Sequence, residues 1–174
     1  MSETKKIIGK VITVSDRCAS GETEDTSGPL AVSLLAEYGV ECDHIIVVPD
    51  DSGQIAGAMQ EAISGEARII FTTGGTGISR RDVTPDATGR FISLPLDGLA
   101  HQIRMHGLKN TPFATLSRAQ VGLTSRHPGA ALVVNAPGSN GGVKDAISVV
   151  GPLIDHILAI IDHEPDARSV HERD

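Results

Sequence analysis

Aromatic side chains are nearly missing from this 174-residue chain, which has three Phe, one Tyr and no Trp. A buried core must therefore be aliphatic, built from Ile, Val, Leu and Ala. Cysteine is as scarce: Cys18 and Cys42 lack CxxC spacing and have no further cysteine to build a framework, so both are expected as reduced thiols. Cations are in deficit, with 15 Lys and Arg against 22 Asp and Glu and a net charge of −7. That balance argues against a nucleic acid or an anionic membrane as partner, since either needs a basic face. No stretch approaches the roughly 20 apolar residues of a membrane span, and Met1–Lys6 lacks the apolar run of a signal peptide. A cytoplasmic protein is expected. Several catalytic signatures are also missing. No Gly-Lys-Ser/Thr follows a glycine turn, no GxGxxG follows the first strand, and there is no GxSxG elbow. The seven histidines form no HExxH and have no nearby cysteine, so no zinc site is expected.

Glycine, by contrast, is plentiful, and its densest cluster is the most informative. Arg68–Thr73 reads as a buried β-branched strand that empties into Gly74-Gly75-Thr76-Gly77. Glycines permit positive φ and let bare N–H groups face a ligand, as in an anion-binding nest. Arg80, Arg81 and Asp82 follow at once. Donors, cations and a carboxylate thus gather at one strand end, where open α/β sheets bind ligands. The plainer alternative is a tight loop with solvated charges, in which Asp82 pairs with Arg80 or Arg81.

The remaining pattern alternates strands and helices, and its length suits one domain that buries roughly 70 % of its unfolded surface. Strands are expected at Lys10–Ser15 and His44–Val48. Helices are expected from Ser27-Gly28-Pro29 to Tyr38-Gly39, with Ser27 or Gly28 as cap, and from Asp50-Asp51-Ser52 to Ser64. A helix capped by Thr84 should reach Ser93, and another should cover Leu96–His106. Ala119–Ser125 and Ala130–Asn135 suggest an antiparallel hairpin at the sheet edge, joined through His127-Pro128-Gly129. From Val143 to Ile161 apolar residues recur at spacings of three and four, with Gly151-Pro152 breaking the run into two helices. The expected fold is a three-layer α/β/α domain over residues 1–162, with a mostly parallel sheet and a polar tail at 163–174.

Four segments then belong at carboxyl ends of strands: Ser15-Asp16-Arg17, Asp50-Asp51, Gly74–Asp82, and Pro137–Gly142. In a parallel sheet these share one rim. One of Asp50 and Asp51 is expected to cap the following helix, leaving the other free. Ser15 and Asp16 can serve either a turn or a ligand. The glycines after Pro137 lead into a helix N-terminus, which favours phosphate. Two acidic points near glycine turns suit Mg²⁺, which keeps waters and binds substrate phosphates. Transfer of a phosphorus-centred group from a nucleotide fits that set.

Several of these segments, taken in order, resemble the MoaB/Mog family of molybdenum-cofactor biosynthesis proteins, most nearly its Mog-type adenylyltransferases. They are Val14-Ser15-Asp16-Arg17 with the acidic Gly/Ser loop after it, Pro49-Asp50, Thr72–Gly77, Arg80–Thr88, and Asn135-Ala136-Pro137-Gly138-Ser139. The likeness covers roughly residues 7 to 162. It implies adenylylation of molybdopterin by Mg-ATP with release of pyrophosphate, in a homotrimer, with a downstream molybdate-insertion enzyme as receiving partner. It further implies essential, Mg²⁺-associated carboxylates at Asp50 and Asp82. Phosphate would be held by Gly74, Gly75, Thr76 and Gly77, with further contacts from Ser15, Asp16, Pro137, Gly138 and Ser139. Arg80 and Arg81 are assigned to pterin phosphate or pyrophosphate. The alternative is a non-catalytic molybdopterin-binding or scaffolding relative of the same fold. One departure stands out: Asn140-Gly141-Gly142 lacks the second proline common in that loop.

Overall fold

The computed structural model describes residues 6–163. Its strands are β1 (Ile7–Val14), β2 (Val40–Val48), β3 (Ile69–Thr73), β4 (Leu94–Pro95), β5 (Val121–Leu123) and β6 (Leu132–Ala136). They form one sheet in the order β2-β1-β3-β6-β5-β4. β2, β1, β3 and β6 run parallel, whereas β5 is antiparallel to both β6 and β4. The hairpin lies where the 119–135 pattern places it, but the outermost strand is the two-residue β4, too short to show periodicity. β5 is also shorter than the expected Ala119–Ser125.

The central strands are buried on both faces, and their alternation sorts side chains into two aliphatic cores. Val11, Ile69, Phe71, Leu132 and Val134 enter one, with residues of α2 (Ser27–Ala36), α5 (Asp97–Gly107), α6 (Asn140–Val150) and α7 (Ile154–Asp162). Ile12, Ile70 and Val133 enter the other, under α3 (Ser52–Ser64) and α4 (Thr84–Thr88). Three layers result. Phe71 is the one aromatic among the largest fully buried side chains, as the composition requires.

Local chemistry sets the helix ends. α2 follows Thr26, which makes no side-chain cap bond; Asp25 supplies the acceptor instead, taking the Gly28 N–H at 3.0 Å and the Thr13 hydroxyl at 2.7 Å. Neither Ser27 nor Gly28 is the cap. The chain leaves α2 through Gly39 at φ 76°, the left-handed conformation expected there. α4 is capped at Val83 rather than Thr84, because the Thr84 hydroxyl is turned inward and donates to the Gly74 carbonyl at 2.9 Å. It stops at Thr88 instead of Ser93 and passes through a 3₁₀ turn, Gly89–Phe91, into β4. Gly151–Leu153 forms the expected break between α6 and α7 as another 3₁₀ turn. A Cβ on Gly151 would stand 2.3 Å from the Tyr38 ring, so this glycine also makes room for α2's end. Apart from His163, the tail lies outside the described residues.

A buried amide ties the layers together beneath the rim. The Asn135 amide nitrogen donates to Thr72 Oγ1 at 2.9 Å and Thr88 Oγ1 at 3.2 Å, and its oxygen accepts the Gln120 N–H at 3.1 Å. β3, β6, α4 and the approach to β5 thereby share one fully buried polar hub. Such satisfied networks favour a single arrangement of the elements they join.

Candidate active site

The four parallel strands end on one side of the sheet, and short bonds lace their loops together. β1 ends at Val14, and Ser15 N–H donates to the Val48 carbonyl of β2 at 2.9 Å. Asp16 and Asp50 then pair reciprocally: Asp16 N–H donates to Asp50 Oδ2 at 3.2 Å, and Asp50 N–H to Asp16 Oδ1 at 3.0 Å. Beyond β3, Gly74 N–H donates to the Ala136 carbonyl of β6 at 3.0 Å, and the Thr73 hydroxyl to the Pro137 carbonyl at 3.0 Å. Asp51 caps α3 by accepting the Gln54 N–H at 2.9 Å. Asp50 is the carboxylate left over. Ser15 caps α1 (Asp16–Ala19), a short helix absent from the sequence pattern, by accepting the Cys18 N–H.

The turn after β3 tolerates no side chains at its start. Gly74 and Gly75 have φ of 104° and 66°. A Cβ on Gly74 would lie 2.1 Å from the Val14 carbonyl oxygen; one on Gly75 would lie 2.3 Å from Thr84 Oγ1 and 3.0 Å from Asp50 Oδ1. Positive φ and close approach thus both demand glycine. Further along, a Cβ on Gly77 would stand 2.8 Å from Asp82 Oδ2, which accepts the Ser79 N–H at 2.9 Å. The loop therefore wraps Asp82 back over its own glycines.

Arg118 holds that wrap, and nothing in the sequence pattern marks it. Its N–H donates to the Thr76 carbonyl at 2.8 Å and its Nε to the Gly77 carbonyl at 2.9 Å. Nη2 donates to the Asp82 carbonyl and pairs with Asp86 at 3.0 Å. The signal is tertiary: a lone arginine before a short strand looks like any surface cation. Asp82 pairs with neither Arg80 nor Arg81. Arg81 instead donates through Nε to Asp16 Oδ2 at 3.0 Å.

These contacts set the carboxylates apart. Burial raises the Asp50 pKa, opposed in part by the Asp16 N–H it accepts. Burial also pushes Asp82 upward, but the hydrogen bonds from Ser79 and Gly77 and the charge of Arg118 outweigh it, holding Asp82 below its ordinary value. The Arg81 hydrogen bonds keep Asp16 low.

Two clefts open on this rim. The larger, about 610 Å³, runs from Gly75–Ile78, Asp82 and Pro137–Ser139 to Ile103, Phe113, Ala114 and Leu116. Its outer wall is a 3₁₀ turn, Pro112–Leu116, that the sequence pattern does not predict. The smaller, about 350 Å³, is polar and includes Ser15, Glu24, Asp25, Thr26, Asp50 and Gly74 in its lining. Gly75, Asp82 and Gly138 border both. Thr76, Gly77, Pro137 and Ser139 line the larger cleft only. Asp16, Arg80 and Arg81 line neither. Ser139 caps α6 by accepting the Gly142 N–H at 3.0 Å. No group of three or more His, Cys, Asp or Glu among the described residues could hold a metal ion. Asp50 and Asp82 both line the smaller cleft, and carboxylates are the kind of oxygen ligand that Mg²⁺ takes alongside water and phosphate.

Glycine turns, a capped helix N-terminus and two carboxylates around a divided cleft define an open-sheet α/β domain suited to phosphorylated ligands. Residues 10–156 match the family described as "Probable molybdopterin binding domain", and the chain belongs to that family. It is 36% identical over 151 residues to the molybdopterin adenylyltransferase of Pyrococcus furiosus, covering 85% of this chain and 87% of that one. It is also similar to the molybdenum cofactor synthesis protein cinnamon of Drosophila melanogaster and a molybdenum cofactor biosynthesis bifunctional protein of Synechococcus elongatus, at 35% and 34% identity. The match covers 87% and 89% of this chain but spans only 25% and 47% of those longer proteins. Among solved structures, the tungsten cofactor synthesizing protein MoaB from Pyrococcus furiosus superposes with a TM-score of 0.85 at 33% identity, over 92% of this chain and 100% of that one. A molybdopterin biosynthesis protein from Mycobacterium abscessus gives 0.81 at 38% identity, over 87% and 94%. No described helix is long and apolar enough to cross a membrane.

The direction of the Asp50 shift has a consequence for stability. A carboxyl whose pKa is raised on folding stabilises the fold while protonated and loses that contribution as pH rises through the folded pKa. Asp50→Asn should therefore match the wild type in melting temperature at acidic pH and exceed it at neutral pH. Thermal unfolding across that range checks this, and a variant less stable than wild type at neutral pH contradicts it.

Proposed function

We propose that the protein is a molybdopterin adenylyltransferase acting in molybdenum-cofactor biosynthesis. The observation that carries this reading is the pair of clefts, one apolar-walled and one polar, that meet at Gly75, Asp82 and Gly138. A flat pterin suits the larger and Mg-ATP the smaller, so both phosphate chains converge on the shared border. An oxygen of molybdopterin's terminal phosphate attacks the α-phosphorus of ATP. The bond from that phosphorus to the α–β bridging oxygen breaks, and pyrophosphate leaves with the electron pair. The nucleophile is already an anion, so no strong general base is required. Positioning and charge neutralisation dominate instead.

In this scheme the Gly75–Gly77 turn and the start of α6 hold the terminal phosphate of molybdopterin. The first N–H groups of a helix have no partner within it, and the dipole there favours an anion. Mg²⁺ would offset the charge gathered on the phosphates. Asp50 stands beside Gly75 and Asp82 beside Gly77, and Asp16 positions Asp50 through their paired hydrogen bonds. Arg81, bound to Asp16, acts through that pair, whereas Arg80, which lines neither cleft, takes no part in this scheme. The name of the shorter relative supports the activity, and the bifunctional relative, of which this chain spans 47%, supports handover of the product to another enzyme of the same biosynthesis. Cytoplasmic residence follows the same reading.

We also infer a homotrimer, supported by exposed Met105, Leu153 and Ile160 on or beside helices that otherwise fill the core. Light scattering should give a mass near three times the 18.2 kDa chain. A mass near one chain would refute it.

The activity itself is tested by pyrophosphate release from molybdopterin and Mg-ATP. Wild-type protein should release it, and Asp82→Asn should turn over roughly 100- to 1,000-fold more slowly, a loss of about 3–4 kcal/mol in the transition state. Near-normal release by folded Asp82→Asn would remove Asp82 from the chemistry. No release by wild type would favour the non-catalytic binding role.

A further inference from the structure

The larger cleft holds a carboxylate that the proposed transfer does not use. Asp145 lies on α6 with its side chain 14% exposed, and it lines the cleft beside Gly107, Asn110 and Ala114. Its neighbours satisfy it only loosely: Asn110 Nδ2 reaches Oδ1 at 3.4 Å, and His106 Nε2 stands 3.6 Å from the same oxygen. Oδ2 receives neither of them. A carboxylate has about four acceptor sites, so Asp145 keeps capacity for a ligand. The one arginine in the cleft lining, Arg104, already donates through Nη1 to the Ala119 carbonyl at 3.0 Å.

We propose that Asp145 recognises the aminopyrimidone edge of the pterin, accepting its N3–H and 2-amino hydrogens with its two oxygens. This rests on the reading of the protein as a molybdopterin adenylyltransferase. Two parallel N–H donors on a planar group meet a carboxylate as an arginine fork does, which gives orientation as well as energy. The surrounding surface suits a flat ring. Gly107 has no side chain, and a Cβ there would stand 3.0 Å from Ala114 Cβ and 3.3 Å from Asp145 Oδ2. Ile103 adds an apolar wall.

Spacing along α6 supplies the second argument. Asp145 lies six residues beyond the Ser139 cap, about 9 Å along the helix axis at 1.5 Å per residue. Gly141 and Gly142, four and three residues before it, lie on the same face. Both also line the cleft. The helix surface between cap and carboxylate is therefore bare. Molybdopterin has the matching layout, with phosphate at one end of three fused rings and the aminopyrimidone at the other. The two glycines differ in cause. A Cβ on Gly142 would press within 2.7 Å of the Pro137 ring, so packing demands glycine there. At Gly141 a Cβ would meet nothing within 4 Å, so its bareness serves the cleft and not the packing. Asn140-Gly141-Gly142, the departure from the family's usual loop, thus becomes a platform.

The probes are 6-hydroxymethylpterin and its 2-oxo counterpart, titrated by fluorescence against full-length protein, with Mg-ATP binding measured alongside. Wild type should bind the amino compound at least about tenfold more tightly than the oxo compound. Asp145→Asn keeps the contact with Asn110 but presents a donor to a donor. It should erase that preference while leaving ATP affinity and melting temperature within error. Gly141→Leu should abolish pterin binding by filling the cleft, with ATP affinity again unchanged. An undiminished preference in Asp145→Asn, or wild-type pterin binding by Gly141→Leu, overturns the proposal and leaves the adenylyltransferase reading standing. Wild type that binds neither pterin nor molybdopterin removes both.

Discussion

The site depends on the absence of two side chains. Gly74 and Gly75 sit where a single methyl would strike the Val14 carbonyl of β1 or the Thr84 hydroxyl of α4, and both have positive φ. That contact brings the loop after β3 against the loop after β2, and it leaves Asp50 Oδ1 only 3.0 Å from where a Gly75 side chain would begin. Thr84 closes the turn from the other side, its hydroxyl on the Gly74 carbonyl and its N–H on the Gly75 carbonyl. Two acidic loops and one helix start can converge because the backbone between them is bare.

Around this junction the structure separates positioning from contact. Asn135 joins the layers just below the rim, and Arg118 binds Thr76, Gly77 and Asp82 through one backbone N–H and one guanidinium. Arg118 also ties the loop to the segment that carries Pro112–Leu116, the outer wall of the larger cleft. The shape of that cleft and the placement of Asp82 are therefore mechanically linked. The Asp16–Arg81 pair does the same on the other side, holding Asp50 by its backbone and carboxylate together.

Much of this was legible in the residues. Continuous apolar, β-branched strands and glycine- or proline-bounded helices place β1, β3, β6, α3, α6 and α7 within a few residues, because their burial is nearly complete and dominates local preference. The strand-end loops followed, since parallel strands share a rim. What stayed hidden depends on distant partners. Thr84 looks like a cap until its hydroxyl is seen to serve Gly74, and Asp25 looks like loop until it is seen to cap α2. Arg81 looks like a phosphate ligand, yet its guanidinium donates to Asp16, a residue far away in sequence. Two-residue β4 and the 3₁₀ wall are too short to carry any periodic signal, and Arg118 carries none at all.

The central claim is that two substrates occupy separate clefts and meet over the bare turn. A structure determined with molybdopterin and α,β-methylene-ATP, whose α–β linkage cannot break by pyrophosphate release, tests it directly. Adenosine should lie in the smaller cleft among Ser15, Asp25 and Asp50, the pterin in the larger, and the two phosphate groups should face each other beside Gly75, Asp82 and Gly138. Both ligands in one cleft, or phosphates bound away from those three residues, would contradict it.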